Sequence, residues 1–315
     1  FVGPYLPGLF WHKGFCVTKL IEEFFLTNDG IFGMALGVSS TYIILFILFG
    51  VLFEAIGAGD FMMTVSRAMT KKMVGGAGKT AVIASGFFGM ISGSPSANVM
   101  TTGSVTIPMM KKLGYSPVYA AAIEASASTG GTLIPPVMGA VIFLMVEITG
   151  ISYLEIAKAA ILPAFLYMFS VLMMVHYIAK RIRVNESSNV ITPIPDLHPK
   201  YVFSNLYYMV PPVLLIIVLI QGYTPVRAAL IAIFSSVIIS FFKKKTMLTP
   251  KKIIDIMVLT MERCVGVAVA CGIVGIIINV LAITGLGPRS TNLILAVAGD
   301  SKFLTLAMTA IATLL

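Results

Sequence analysis

Residues 80–110 read TAVIASGFFGMISGSPSANVMTTGSVTIPMM, an apolar stretch long enough to enter a bilayer but cut in its middle by Ser92-Gly93-Ser94-Pro95-Ser96-Ala97-Asn98. Lysines flank it on both sides, Lys79 before and Lys111 and Lys112 after. An apolar segment that is basic at both ends is expected to start and finish in one compartment. The stretch therefore predicts a re-entrant hairpin with a polar tip. Membrane transporters build ion and substrate sites from buried tips of this kind.

The rest of the composition agrees with a membrane setting. The chain is 58% hydrophobic and 11% charged, with a mean hydropathy of +0.98, whereas soluble domains carry about 25% charged residues. The apolar runs are long and continuous rather than short and alternating, which points to transmembrane helices and away from a β-barrel. The net charge of +9 comes from short clusters beside apolar spans: Lys71/Lys72, Lys111/Lys112, Lys180 to Arg183, Lys243 to Lys245 and Lys251/Lys252. That is the positive-inside pattern and implies no nucleic acid. Cys16, Cys264 and Cys271 form no CxxC, and His12, His176 and His198 lie far apart. No metal or redox site is expected from them.

Along the chain, residues 1–30 read as a Pro/Gly-rich interfacial stretch followed by a short amphipathic helix, with Tyr5 and Trp11 suited to the lipid interface. A first span is expected at about 31–56, closed by Gly57-Ala58-Gly59-Asp60, and an amphipathic helix at 61–70 precedes the hairpin. From Ser116 a helix enters that is broken by Ser126-Ala127-Ser128-Thr129-Gly130-Gly131-Thr132-Leu133-Ile134-Pro135-Pro136 and resumes to Ile148. Two prolines remove backbone donors and two glycines tolerate unusual dihedrals, so a local unwinding facing the hairpin tip is predicted. A span at 161–179 leads to a polar cytoplasmic linker at 181–205, then a scaffold pair at 206–221 and 224–242, a long span at 253–284 and an apolar run from Phe303.

These elements organise as an interfacial segment (1–30), a first repeat (31–180, with hairpin 80–110 and broken helix 116–150), the linker, the helix pair within 206–252, and the start of a second repeat (253–315). The second repeat echoes the first. Gly285-Leu286-Gly287 follows Gly57-Ala58-Gly59 at an offset of 228, and Thr309-Ala310-Ile311-Ala312 resembles Thr80-Ala81-Val82-Ile83-Ala84 at 229. With an odd number of crossings between them, the units are expected to be inverted repeats. The chain begins at Phe1 without a methionine and stops at Leu315 inside an apolar run, so both ends read as cuts, and the counterpart of Ser92 is expected beyond Leu315.

A cation that loses its water near the midplane needs oxygen ligands, which short hydroxyl and amide side chains and freed carbonyls supply. Ser92, Ser94, Ser96 and Asn98 at the tip, with Ser128, Thr129, Thr132 and the carbonyls around Gly130, are the candidates. The half-helix N-termini after each break favour a carboxylate. The same small residues also serve close helix packing. Glu124 is an intramembrane carboxylate. It either tunes the cation site or carries a proton, or else sits in a polar interface near the cytoplasm. Glu54 and Asp60 read as boundary residues. Arg263 is expected to snorkel to the interface rather than to pair with Glu262.

The segments FGMISGSPSANVMTTGSVTIPMMKKLGY and EASASTGGTLIPPVMGAVIFLM closely resemble the large membrane subunit of tripartite ATP-independent periplasmic (TRAP) transporters. GPYLPGLFWHKGF and NDGIFGMALGVSSTYIILFILFG resemble the form in which small and large subunits are fused. The resemblance implies an all-α, multi-pass secondary transporter of the prokaryotic cytoplasmic membrane, working elevator fashion. It implies no enzyme and no cofactor, and sodium-coupled uptake of small carboxylate solutes from a periplasmic substrate-binding protein. Carried over by position, it implies sodium and substrate contacts at Ser92, Gly93, Ser94, Ser96 and Asn98. The unwound segment Ser128 to Pro136 would add Ser128, Thr129, Gly130, Gly131, Thr132 and Pro135. The fused form also has small-subunit helices ahead of the part matching Phe1 and a second hairpin tip after the part matching Leu315. Two other function classes fit the residues less well: a channel or non-catalytic subunit, and an intramembrane hydrolase with Ser92 as nucleophile and His176 as base.

Overall fold

In a computed structural model of the chain, the structure describes residues 3–8, 11–182, 205–242, 246–299 and 301–314. The predicted linker 181–205 falls almost wholly outside these residues, as do Lys243 to Lys245. The described residues are helical nearly throughout, with no strand among them.

Several helices start where the sequence puts a hydroxyl before a proline. Ser94, Ser116 and Thr224 each accept a hydrogen bond from the backbone N–H three residues on, and the following proline occupies the first helical position, where no N–H is needed. The elements are α1 (Met34–Ala55), α2 (Ala58–Thr70), α3 (Gly76–Ser92), α4 (Pro95–Lys112), α5 (Pro117–Gly131), α6 (Val141–Thr149), α7 (Tyr153–Arg181), α8 (Leu206–Ile220), α9 (Pro225–Ser240), α10 (Pro250–Thr284), α11 (Leu286–Ala298) and α12 (Lys302–Leu314). Of these, α1, α7 and α10 are long and apolar enough to cross a membrane. The 29 residues of α7 rise about 44 Å at 1.5 Å per residue, more than a ~30 Å hydrocarbon core requires.

Residues 38–267 form one compact unit. Its centre is the packing of α3, α4 and α5 on one another, with α7 laid against α3 and α5. Small residues set the spacing: a Cβ at Gly89 would lie 2.4 Å from the Cα of Gly131, and one at Gly78 would lie 2.7 Å from Val175. Helices that come this close bury Ala77, Ala81, Ala120 and Ala127 against Met110 and Ile123. In lipid, dense packing replaces the hydrophobic drive that water would give. The helix pair α8 and α9 packs against itself, and α9 against α1.

Residues 1–37 and 268–315 form the second unit. A short helix, Val17–Ile21, runs into a π turn, Glu22–Leu26. The loop after it presses on α10 so tightly that a Cβ at Gly275 would lie 2.4 Å from the Gly30 carbonyl. Arg289 of α11 donates to the Trp11 carbonyl.

Two sequence expectations need correction. Lys79 was read as marking the aqueous end of the hairpin, but it is 9% exposed and its Nζ lies 3.2 Å from His176 Nδ1 on α7. The helix starts at Gly76, a turn earlier than the apolar run, and this carries the lysine inside. The unwinding was placed at Ser128 to Pro136, whereas α5 stays helical through Gly131 and the irregular segment is 132–140. Gly130 and Gly131 are glycines because of what presses on them: added Cβ atoms would meet the Tyr167 ring at 2.4 Å and the Ser85 carbonyl at 2.5 Å. The unusual dihedral falls instead on Met138, with φ 59°.

Candidate functional site

The hairpin turns within two residues. Gly93 (φ 60°) ends α3 in the left-handed region, where glycine is unstrained. Ser94, in extended conformation, caps α4. Its Oγ accepts from Ala97 N–H at 3.4 Å and lies 3.2 Å from Ser96 Oγ. The Ser92 hydroxyl accepts from Ser94 N–H at 3.5 Å. Ser92, Gly93 and Ser94 are half-buried, Ser96 is exposed and Asn98 is buried.

Segment 132–140 lies against this tip. Val137 N–H donates to the Met90 carbonyl at 3.1 Å, and the Met138 carbonyl would stand 2.2 Å from a Cβ on Gly93. Ser92, Gly93 and Ser94 line one cleft with Val137, Met138 and Ala140. On the other side of the tip, Ser92 and Asn98 line a second cleft with Glu54, Thr101 and Arg263. Two helix N-termini, those of α4 and α6, follow the two breaks. They bring positive dipole ends and backbone donors to the region.

The remaining predicted residues are placed less uniformly. Thr129 and Thr132 turn their hydroxyls to the Ala125 and Thr129 carbonyls of their own helix. Thr129, Gly130 and Gly131 carbonyls accept from Thr132, Leu133 and Ile134 N–H groups, so tight turns use the end of α5. Asn98 points inward, its Nδ2 donating to the Ser85 carbonyl at 2.8 Å. Ser128 turns to Glu124. Pro135 lies on the side of the break that faces α7, in a groove with Tyr153 and Leu154. The structure thus joins Ser92, Gly93 and Ser94 to the unwound segment and sends Asn98 and Ser128 to a second, buried polar cluster.

That cluster surrounds Glu124, whose partners are Ser85 of α3, Thr102 and Thr106 of α4 and Ser128. The sequence carried a sign of it in Asn98, Thr102 and Thr106, a polar stripe at four-residue spacing on one face of α4. Tyr153 was also missed. From the start of α7 it donates to the Pro136 carbonyl and holds the unwound segment. Arg263 does not snorkel: its guanidinium bonds Glu54 at 3.1 Å, and Glu54 also accepts from Thr101 at 2.9 Å. The Ser92 hydroxyl is engaged at the tip while His176 is held on Lys79, so no nucleophile and base pair is assembled from them.

Comparison with known proteins follows the same residues. Residues 10–315 match the family described as the tripartite ATP-independent periplasmic transporter, DctM component. The chain is 27% identical over 207 residues to the C4-dicarboxylate TRAP transporter large permease protein DctM of Pseudomonas aeruginosa, a match covering 64% of this chain and 46% of that protein. It is 37% identical over 91 residues to the isethionate TRAP transporter permease protein DctMQ of Oleidesulfovibrio alaskensis, covering 29% and 14%. It is 35% identical over 96 residues to the ectoine/5-hydroxyectoine TRAP transporter large permease protein UehC of Ruegeria pomeroyi, covering 30% and 22%. The chain spans less than half the length of each of these relatives. A match that runs through both helix breaks and covers nearly every residue places the chain in the DctM-component family of tripartite ATP-independent periplasmic transporters.

Proposed function

We propose that this chain supplies one half of the ion and solute site of a sodium-coupled secondary transporter, which takes up small carboxylate-bearing solutes across the prokaryotic cytoplasmic membrane. The solute is delivered by a periplasmic substrate-binding protein, and small-subunit helices, fused or separate, complete the assembly in lipid. One observation carries the reading: two helix breaks meet, with Val137 of the unwound segment bonded to Met90 beneath the hairpin tip. Hydroxyls and carbonyls at Ser92, Ser94 and 132–140 offer oxygen ligands for a monovalent cation, and the adjoining helix N-termini suit the solute's carboxylate. Relatives named for C4-dicarboxylate, isethionate and ectoine carry different solutes in one family, so the solute is assigned here only as a class. Its transporter relatives also set aside the hydrolase reading.

The second half of the site belongs to a repeat of the first. A long helix, a left-handed glycine and a 13-residue helix occur as α1, Gly57 (φ 87°) and α2, and again as α10, Gly285 (φ 68°) and α11. In the elevator reading α3 to α6 move as a body with bound ion and solute. The membrane potential contributes about 2.3 kcal/mol per net charge per 100 mV, so more sodium charges than solute charges drive uptake. With full-length permease and its binding protein in liposomes, uptake is expected to collapse when sodium is replaced by potassium. Undiminished uptake in potassium would contradict the proposal.

A further inference from the structure

On the side of the helix break that faces α7, no backbone donor is left over. Ile134 N–H donates to the Gly131 carbonyl at 3.2 Å, Pro135 and Pro136 carry no N–H, and the Pro136 carbonyl accepts from Tyr153. Backbone at membrane depth must be satisfied internally in this way before it can meet hydrocarbon. Ile134, Pro135 and Pro136 form the floor of a groove of about 540 Å³, a volume in the range of ligand pockets. One wall is α7 from Leu154 to Met168, and the other is the end of α8 at Ile216, Leu219 and Ile220. Every lining side chain is apolar except Tyr153, whose hydroxyl is already engaged, and Lys158.

Height in the membrane decides what fits. Residues 159–179 contain no Asp, Glu, Lys or Arg and rise about 31 Å in a helix, the thickness of a hydrocarbon core. Lys180 closes this run on the cytoplasmic side, so Lys158 stands at the level of the outer headgroups. From Lys158 to Met168 the groove descends about 15 Å, half of a ~30 Å core. It is one leaflet deep, the reach of a single acyl chain, whereas a helix crossing the membrane would need a seam twice as long. Lys158 is exposed and has no ion pair or side-chain hydrogen bond among the described residues. Glu155 is also exposed and its carboxylate has no partner among them. It lies on the same helix face, about 4.5 Å nearer the water. A cation with an anion above it complements a phosphoethanolamine headgroup, in which the phosphate lies deeper than the ammonium.

We infer that the groove between α7 and α8 binds one phosphatidylethanolamine of the outer leaflet. Lys158 donates to the phosphate, Glu155 accepts from the ethanolamine ammonium, and one acyl chain runs down α7 to Pro135 and Pro136. Both polar contacts are charge-assisted hydrogen bonds. Phosphatidylglycerol offers the phosphate without the ammonium, and the quaternary amine of phosphatidylcholine has no N–H for Glu155. The inference rests on the membrane placement of α7 and is independent of which ion or solute the permease carries.

The test uses full-length permease, purified in detergent and stripped of lipid. It is mixed with equal amounts of phosphatidylethanolamine, phosphatidylcholine and phosphatidylglycerol of the same acyl chains, and bound lipid is counted by native mass spectrometry. Wild type is expected to retain one lipid per chain, with phosphatidylethanolamine preferred. Lys158→Gln is expected to lower retention of all three by about fivefold, the effect of one cation near an anionic lipid surface. Glu155→Gln is expected to keep a bound lipid but lose the preference for ethanolamine. Ile161→Trp, which fills the groove from a position that is 57% exposed, is expected to abolish retention without lowering the melting temperature. If that variant does not fold, the exposed Lys158→Gln decides. A wild-type permease that retains no lipid, a Lys158→Gln or folded Ile161→Trp protein that retains the wild-type amount, or a Glu155→Gln protein that keeps the ethanolamine preference would overturn the assignment. So would a dimer that Ile161→Trp dissociates, since a second copy would then fill the groove.

Discussion

Where α3 crosses α5, glycine is required by contact and not by dihedral angle. A Cβ at Gly131 would meet the Ser85 carbonyl at 2.5 Å and one at Gly89 would meet the Gly131 Cα at 2.4 Å, both backbone atoms that cannot swing away. Gly131→Ala is therefore expected to lower stability by about 1–3 kcal/mol, the usual cost of overpacking, seen as a lower melting temperature in detergent. Gly266→Ala, where nothing lies within 4 Å, is expected to leave that temperature unchanged or slightly raised. An unshifted Gly131→Ala protein would mean that the helices are not locked here. In the sequence, Gly130-Gly131 beside Pro135-Pro136 signalled a break, and the break is real. It begins one residue after the glycines because a glycine carries no mark saying whether it serves an unusual φ or a close neighbour. Glu124 was legible as a buried carboxylate. Its shell was not, because Ser85, Thr102 and Thr106 reach it from two other helices whose rotation about their axes a one-dimensional pattern leaves open.

Among the elements, the hairpin α3–α4 was the easiest to read, since the Ser92-Gly93-Ser94-Pro95 run supplies both a left-handed stop and a capped proline start. How it is held from outside was harder to see. Thr101 of α4 donates to Glu54 of α1, which also holds Arg263 of α10, so one half-buried ion pair ties three helices together beside the tip. Residues 54 and 263 are separated by most of the chain, and each alone looks like an interfacial charge. Removing one partner leaves the other charge part-buried without its counter-ion, at a cost of about 1–3 kcal/mol, and Thr101 remains as a donor to Glu54 when Arg263 is the one removed. Glu54→Ala and Arg263→Ala are each expected to lower the melting temperature, and the exchanged pair Glu54→Arg with Arg263→Glu to recover part of the loss. If the exchange does no better than the single variants, the pair is not what joins these helices.

At the scale of the whole molecule the sequence pointed to apolar helical spans, and the described residues are helical, with three helices long and apolar enough to cross a membrane. Helix length and hydropathy carry that information directly. A re-entrant hairpin has a topological consequence: cysteines placed at Lys72 and Gly114, just outside α3 and α4, are expected to label with an impermeant thiol reagent from the same side of the membrane, and one at Gly222 from the opposite side. Labelling of the first two from opposite sides would mean that the segment crosses. The central claim is that the hairpin tip and the unwound segment form one sodium site. It is tested most directly by the sodium dependence of solute uptake by full-length permease with its binding protein, comparing wild type with Ser94→Ala. The account predicts that the variant needs about tenfold or more sodium for half-maximal uptake, the range by which altering a metal site's surroundings weakens affinity, while exposed Thr149→Ala does not. A Ser94→Ala permease with the same sodium requirement as wild type would contradict it.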